Sequence, residues 1–136
     1  MKEYIKMLLR ESLTDDELLK EIFKQLKETD GKELNLYGKG ITDLPEGIGN
    51  LKNLERLNLR KNELTSLPES IGNLTNLKEL NLMYNKLTDL PESIGNLKNL
   101  ERLLLPFNRI RDEKIERIEE LLPNTKVITY WNMKHS

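Results

Sequence analysis

Between Leu44 and Asp112 the chain repeats one arrangement of apolar and polar positions every 23 residues. LPEGIGNLKNLERLNLRKNELTS, LPESIGNLTNLKELNLMYNKLTD and LPESIGNLKNLERLLLPFNRIRD follow one another without a gap. Each unit contains two periodicities. Leu57-Asn58-Leu59 alternates strictly, which predicts a short strand with its leucines facing inward. Pro68, Ile71, Leu74 and Leu77 recur at spacings of three, which predicts a 3₁₀ or short helical return segment. A unit this small cannot bury its apolar face alone, so adjacent units are expected to stack their strands into one parallel sheet. Gly49, Gly72 and Gly95 are expected to let the return segment bend. Asn62, Asn85 and Asn108, where the strand turns away, are expected to point inward and pair loop backbone groups that would otherwise be buried unsatisfied.

The flanks read as caps. Leu13-Thr14-Asp15-Asp16-Glu17-Leu18 carries a capping box, Thr14 with Glu17, and a hydrophobic staple, Leu13 with Leu18, and it predicts a helix to about Glu28. The stripe Leu18, Leu19, Ile22, Phe23 and Leu26 is expected to cover the first repeat, and a preceding helix from about Lys2 to Glu11 adds Ile5, Leu8 and Leu9. After the repeats, Asp112 is the expected cap of a helix carrying Ile115, Ile118, Leu121 and Leu122, which Pro123 stops. Lys126 to Trp131 reads as a last strand, offset by one residue from the strict period, and Met133 to Ser136 as a frayed tail.

Each unit also carries the segment LxxLxLxxNxL, as Leu54, Leu57, Leu59, Asn62, Leu64, then Leu77, Leu80, Leu82, Asn85, Leu87, then Leu100, Leu103, Leu105, Asn108, Ile110. In this the chain resembles the leucine-rich-repeat family, in its bacterial-like LPxxIGNLxNLxxLxLxxNxL form. A partial unit, GKELNLYGKGITD, precedes the three, with Lys39 in place of the asparagine and Gly31 in place of the first leucine. The resemblance implies an α/β solenoid, a short right-handed superhelix with parallel strands on its concave face. The expected division is an N-terminal helical cap over 1–30, repeats over 31–112, and a cap helix, last strand and tail over 113–136.

Composition narrows the function. Lys plus Arg number 22 against 23 for Asp plus Glu, so no broad field favours nucleic acid or anionic lipid. There is no cysteine, which excludes disulfides, thiolate metal sites and thiol nucleophiles. No run approaches the roughly 20 apolar residues of a membrane span, and the first turns mix in acids unlike a signal peptide. The expectation is a cytoplasmic protein. The only histidine is His135, and neither GxGxxG nor GxxxxGK[ST] occurs, so neither an enzyme nor a bound cofactor or metal is expected. Paired acids such as Glu119-Glu120 read as solvated helix faces.

The resemblance places a protein or peptide ligand on the concave face, where the variable positions can be read by column. Glu33, Arg56, Glu79 and Arg102 alternate in sign, as a self-neutralising ladder would. The next column, Asn35, Asn58, Asn81, Leu104 and Ile128, loses polarity toward the C-terminus. The two columns after it read Tyr37, Arg60, Met83, Pro106, Tyr130 and Gly38, Lys61, Tyr84, Phe107, Trp131. Five of the chain's seven aromatic residues stand in these two columns. Clustered exposed aromatics and Met mark contact surfaces, so Tyr37, Arg60, Met83, Tyr84, Leu104, Phe107, Tyr130 and Trp131 are the candidate partner-binding residues, with Tyr84, Phe107 and Trp131 expected as one row on neighbouring strands. Two competing readings stay open: ring decoration of the repeat without a ligand, as in a regularised or designed repeat protein, and a self-associating scaffold, a homodimer through the unpaired last strand.

Overall fold

The computed structural model describes residues 16–135, so the expected first helix and the Thr14 cap lie outside the described residues. Five three-residue strands, β1 (Glu33–Asn35), β2 (Arg56–Asn58), β3 (Glu79–Asn81), β4 (Arg102–Leu104) and β5 (Lys126–Ile128), form one parallel sheet in chain order. The register follows the repeat. Leu34 pairs with Leu57, Leu57 with Leu80 and Leu80 with Leu103, and the last step pairs Leu103 with Val127, one residue beyond the strict period. The middle residue of every strand is buried and its neighbours face solvent, as the alternation requires.

The return segments are 3₁₀ turns at Glu46–Asn50, Glu69–Asn73 and Glu92–Asn96. In the second, Ile71 N–H donates to Pro68 C=O at 3.0 Å, and the spacing of three brings Ile71, Leu74 and Leu77 to the same interior. One continuous cluster of buried apolar side chains runs from Leu18 to Val127.

The return-segment glycines have a different cause from the expected one. Gly49, Gly72 and Gly95 do not have positive φ. A Cβ on Gly72 would lie 2.5 Å from Ser93 O, and one on Gly49 2.6 Å from Ser70 O. These two glycines let neighbouring 3₁₀ turns approach closely. At Gly95 the neighbour is the helix Asp112–Leu121, and the nearest atoms, of Leu121, are 3.4 Å from the same Cβ position.

The asparagines form an internal ladder. Asn85 Nδ2 donates to Leu59 O at 3.0 Å and Leu82 O at 3.1 Å, while its Oδ1 accepts from Leu64 N–H at 3.0 Å. Asn62 and Asn108 repeat the arrangement one unit either side. Each side chain thus ties its own strand to the unit before it.

Both ends of the repeat stack carry a helix, one beside the first strand and one beside the last 3₁₀ turn. α1 (Asp16–Glu28) buries Leu18, Leu19, Ile22 and Leu26 beside β1. Its Gln25 adds what the apolar stripe does not reveal, accepting from Asn35 N–H and donating to Asn35 O at 3.0 Å. A side-chain amide thereby occupies part of the free edge of β1. At the other end α2 (Asp112–Leu121) replaces a 3₁₀ turn and buries Ile118, with Leu122 just beyond it. Asp112 is not its cap. Arg111 stands there without a side-chain capping bond, and Asp112 lies in the first turn, where its charge meets the positive helix end.

The last strand is shorter than expected. It ends at Ile128, and Tyr130–His135 forms a six-residue helix, α3. Thr129 and Asn132 account for the change: Thr129 N–H donates to Asn132 Oδ1 at 2.7 Å and Asn132 N–H to Thr129 Oγ1 at 3.4 Å, a reciprocal capping pair. Asn132 is consequently not a fourth rung of the ladder, and Met133–His135 are helical rather than frayed.

Ion pairs decorate the surface between units. Glu33–Arg56 (2.9 Å) and Glu79–Arg102 (3.5 Å) join adjacent members of the charged column two by two. On the return side Arg117 meets Glu92 at 2.9 Å, and hydrogen bonding to Glu92, then its charge, raises the Arg117 pKa. Exposed pairs of this kind contribute little to stability.

Candidate functional site

The columns that follow the strands owe their geometry to the turn leaving the sheet. Gly38, Lys61, Tyr84 and Phe107 occupy the same place in successive units, all with left-handed backbone at φ 63°, 62°, 57° and 63°. Lys61 N–H donates to Met83 O at 2.9 Å and Tyr84 N–H to Pro106 O at 3.1 Å, which fixes the turn from one unit to the next. A side chain disfavours this conformation by about 1 kcal/mol or more, and glycine adopts it freely. Gly38 shows that the fold accepts glycine here. The rings at Tyr84 and Phe107 are therefore kept against the local backbone preference.

The preceding polar column has a structural role. Asn35, Asn58 and Asn81 each accept, through Oδ1, the N–H two residues on, from Tyr37 (3.0 Å), Arg60 (2.9 Å) and Met83 (3.1 Å). Such Asx turns close the strand end. In the third full unit the residue two positions on is Pro106, which has no N–H to satisfy, and an asparagine is not needed. Leu104 stands there instead. The loss of polarity at Leu104 accords with that proline, and Leu104 and Ile128 stand half-buried side by side on the solvent face of the sheet.

At this end the rings meet. Tyr84 and Phe107 stack with centroids 4.4 Å apart and planes 10° apart, and Phe107 meets Tyr130 edge to face at 5.2 Å. Arg60 lies over the outer side of the strip, its Cζ 5.4 Å from the Tyr84 centroid, and Lys134 Nζ lies 5.8 Å from the Tyr130 centroid. Tyr84, Phe107 and Tyr130 are 38%, 40% and 49% exposed. A concavity of about 260 Å³ opens beside them, walled by Pro106, Phe107, Ile110, Ile115, Tyr130 and Trp131.

The expected row is corrected in two respects. Its members stand in turns just past the strand ends, not on the strands, and its third ring is Tyr130 in place of Trp131. Because α3 begins at Tyr130, Trp131 turns onto His135, with ring centroids 3.8 Å apart, while still lining the concavity. Met83, next to Tyr84 in the chain, is half-buried. Tyr37 is exposed at the far end of its column, and among the described residues no ring contact joins it to the others. Sequence reasoning missed Lys134, assigned to a frayed tail, and Ile110 and Ile115, assigned only to repeat and cap core. The Thr129–Asn132 spacing was the available signal for the helix that positions Lys134.

A second concavity, about 330 Å³, lies at the N-terminal end of the sheet between Gln25, Thr29, Glu33, Asn35, Arg56 and Asn58. Its polar groups are largely engaged: Gln25 with Asn35, Thr29 with Glu33, and Arg56 with Glu33. Among the described residues no cluster of three or more His, Cys, Asp or Glu side chains could hold a metal ion.

The architecture defines a class. A family model described as a leucine-rich repeat region matches residues 24–126, and the chain belongs to that family, whose members in general are non-enzymatic scaffolds for protein interaction. Among solved structures, the leucine-rich-repeat protein LIC12759 of Leptospira interrogans is similar, at 49% identity and a TM-score of 0.70 over 71% of this chain. The match spans 24% of the Leptospira chain, so the present chain corresponds to about a quarter of it. An internalin (inlF) from Listeria monocytogenes aligns at 23% identity and a TM-score of 0.43, over 65% of this chain and 33% of its own. No curated protein matches the chain.

Proposed function

We propose that the chain is a protein-interaction module that seats a protein or peptide segment on the strip Tyr84–Phe107–Tyr130 and the concavity beside it. One observation carries this reading: exposed rings at Tyr84 and Phe107, held at the left-handed backbone position that Gly38 and Lys61 occupy in the earlier units, meet Tyr130 in one continuous strip. Stability alone favours glycine there, and a contact surface explains the rings. Leu104, Met83 and Trp131 extend the apolar area around the strip, and Arg60 flanks it; Tyr37 stands outside this patch.

The test is affinity capture from the source cell with wild type and the double variant Tyr84→Gly/Phe107→Gly. Glycine relieves the backbone at both sites, so the variant is expected to melt as high as wild type while its captured proteins disappear. Equal capture by two equally stable proteins would overturn the reading.

Self-association is the second reading, and a specific feature favours it: among the described residues no strand pairs with the outer edge of β5. Sedimentation over a concentration series separates the two. A wild-type dimer that persists in the glycine variant assigns the contact to the β5 edge.

A further inference from the structure

We propose that the segment recognised by the ring strip is acidic at both ends, an apolar or aromatic core flanked by carboxylates. The inference rests on the binding role of the strip and adds the chemistry of the partner. The strip is bounded by cations: Arg60, Tyr84, Phe107, Tyr130 and Lys134 form an unbroken succession of contacts at 5.4, 4.4, 5.2 and 5.8 Å. Neither terminal cation has an ion-pair partner among the described residues, and neither do Lys61 and Arg109, which adjoin the strip in the chain. Elsewhere Arg56, Lys78, Lys86, Arg102, Lys114 and Arg117 each have one, while Lys24, Lys27, Lys32, Lys39, Lys52, Lys98 and Lys126 have none among the described residues, so what sets Arg60 and Lys134 apart is their place against the rings. Arg60 Nε is buried without a hydrogen-bond partner, so nothing within the described chain offsets this guanidinium except the Tyr84 ring.

A cation over a ring face remains available to an anion on its other side, and apolar surroundings strengthen that pairing. The acidic residue lining the concavity is Asp112, held in the first turn of α2, so the strip presents a net positive border around an apolar floor. An extended segment rises roughly 3.3 Å per residue, so carboxylates about five or six residues apart would meet both cations while the intervening side chains lie on the rings. A single-stranded nucleic acid also combines stacking with negative charge, but it needs a continuous basic track along its phosphates. Here the cations stand at the ends, and the formal net charge of the chain is −1.

The experiment is selection of random twelve-residue peptides displayed on phage against the immobilised chain, with depletion on Tyr84→Gly/Phe107→Gly. Selected peptides are then measured by fluorescence anisotropy on wild type, Arg60→Gln/Lys134→Gln and the glycine variant. The expected result is enrichment of Asp or Glu on both sides of an apolar core. Binding should weaken about tenfold in the glutamine variant, the size of one lost charge-assisted hydrogen bond, and raising salt should weaken wild-type binding more than that of the variant. Enriched peptides that are neutral or basic, and bind the glutamine variant as well as wild type, overturn the charge assignment while leaving the strip as a contact. No enrichment over the glycine variant overturns the strip itself. A uridine oligonucleotide that binds more tightly than every selected peptide overturns the choice of partner class.

Discussion

Replacing Asn85 with alanine tests the repeat at its centre, because this side chain is 7% exposed and joins two units. Its removal affects its partners unequally. Leu59 O also accepts from Asn62 at 2.9 Å, and Leu82 O from Asn108 at 2.8 Å, so each of these carbonyls keeps one bond. Leu64 N–H, which donates to Asn85 Oδ1 at 3.0 Å, is left buried with no other partner. An orphaned buried donor costs about 1–3 kcal/mol, and each forfeited second bond to a carbonyl adds roughly 0.5–1 kcal/mol. The expected loss is about 2–5 kcal/mol. Urea unfolding followed by circular dichroism measures it as a shift in midpoint at constant slope. Asn76→Ala is the internal control, since Asn76 Nδ2 makes one exposed bond, to Lys52 O at 2.9 Å, and should lose less than about 1 kcal/mol. If Asn85→Ala costs no more than Asn76→Ala, the ladder does not hold the units together and the reasoning fails.

Four further outcomes are expected. Gly72→Ala, whose Cβ would meet Ser93 O at 2.5 Å, should lose about 2–3 kcal/mol in thermal melts. Gly95→Ala, with nothing nearer than 3.4 Å, should lose less than about 1 kcal/mol, and equal losses would contradict the close-approach explanation. Leu104→Asn and Pro106→Arg should be coupled by about 0.5–1.5 kcal/mol in a double-mutant cycle, because the asparagine gains its acceptor role only when residue 106 has an N–H; strict additivity would refute the Asx-turn account. Ile22→Ala should destabilise by about 2–4 kcal/mol in the same titration, since Ile22 is fully buried on the inner face of α1, and an effect no larger than at an exposed position of that helix would show that α1 is not part of the core.

The regular part of the fold was legible because its signals are local and repeated. Strand alternation, the spacing of three in the return segment and the inward asparagines each follow from residues a few positions apart, and the one-residue offset of β5 was visible in the spacing of the last apolar run. What was less legible depended on side chains meeting across units. The glycines were correctly noticed, but only the packed 3₁₀ turns show that space, not backbone freedom, demands them at Gly49 and Gly72. Nothing in the apolar stripe of α1 signals that the Gln25 amide sits on the edge of β1. The site was half readable: periodicity aligned Tyr84 with Phe107, and then mistook Trp131 for the third ring. That error came from extending a strand through Thr129, whose reciprocal bonds with Asn132 start a helix. Leu104 belongs to the apolar trend of its column, and the missing N–H of Pro106 explains why no asparagine is needed there.

The central claim is that the ring strip is where a partner sits, and site-specific photocrosslinking tests it most directly. With p-benzoylphenylalanine in place of Phe107, whose ring is already exposed on the strip, illumination in the source cell should yield discrete adducts of higher mass. The same probe in place of exposed Lys98, in the return segment beyond Glu92–Asn96, should yield none. Adducts from position 98 and none from position 107 would place the contact on the opposite side of the repeat and contradict the account.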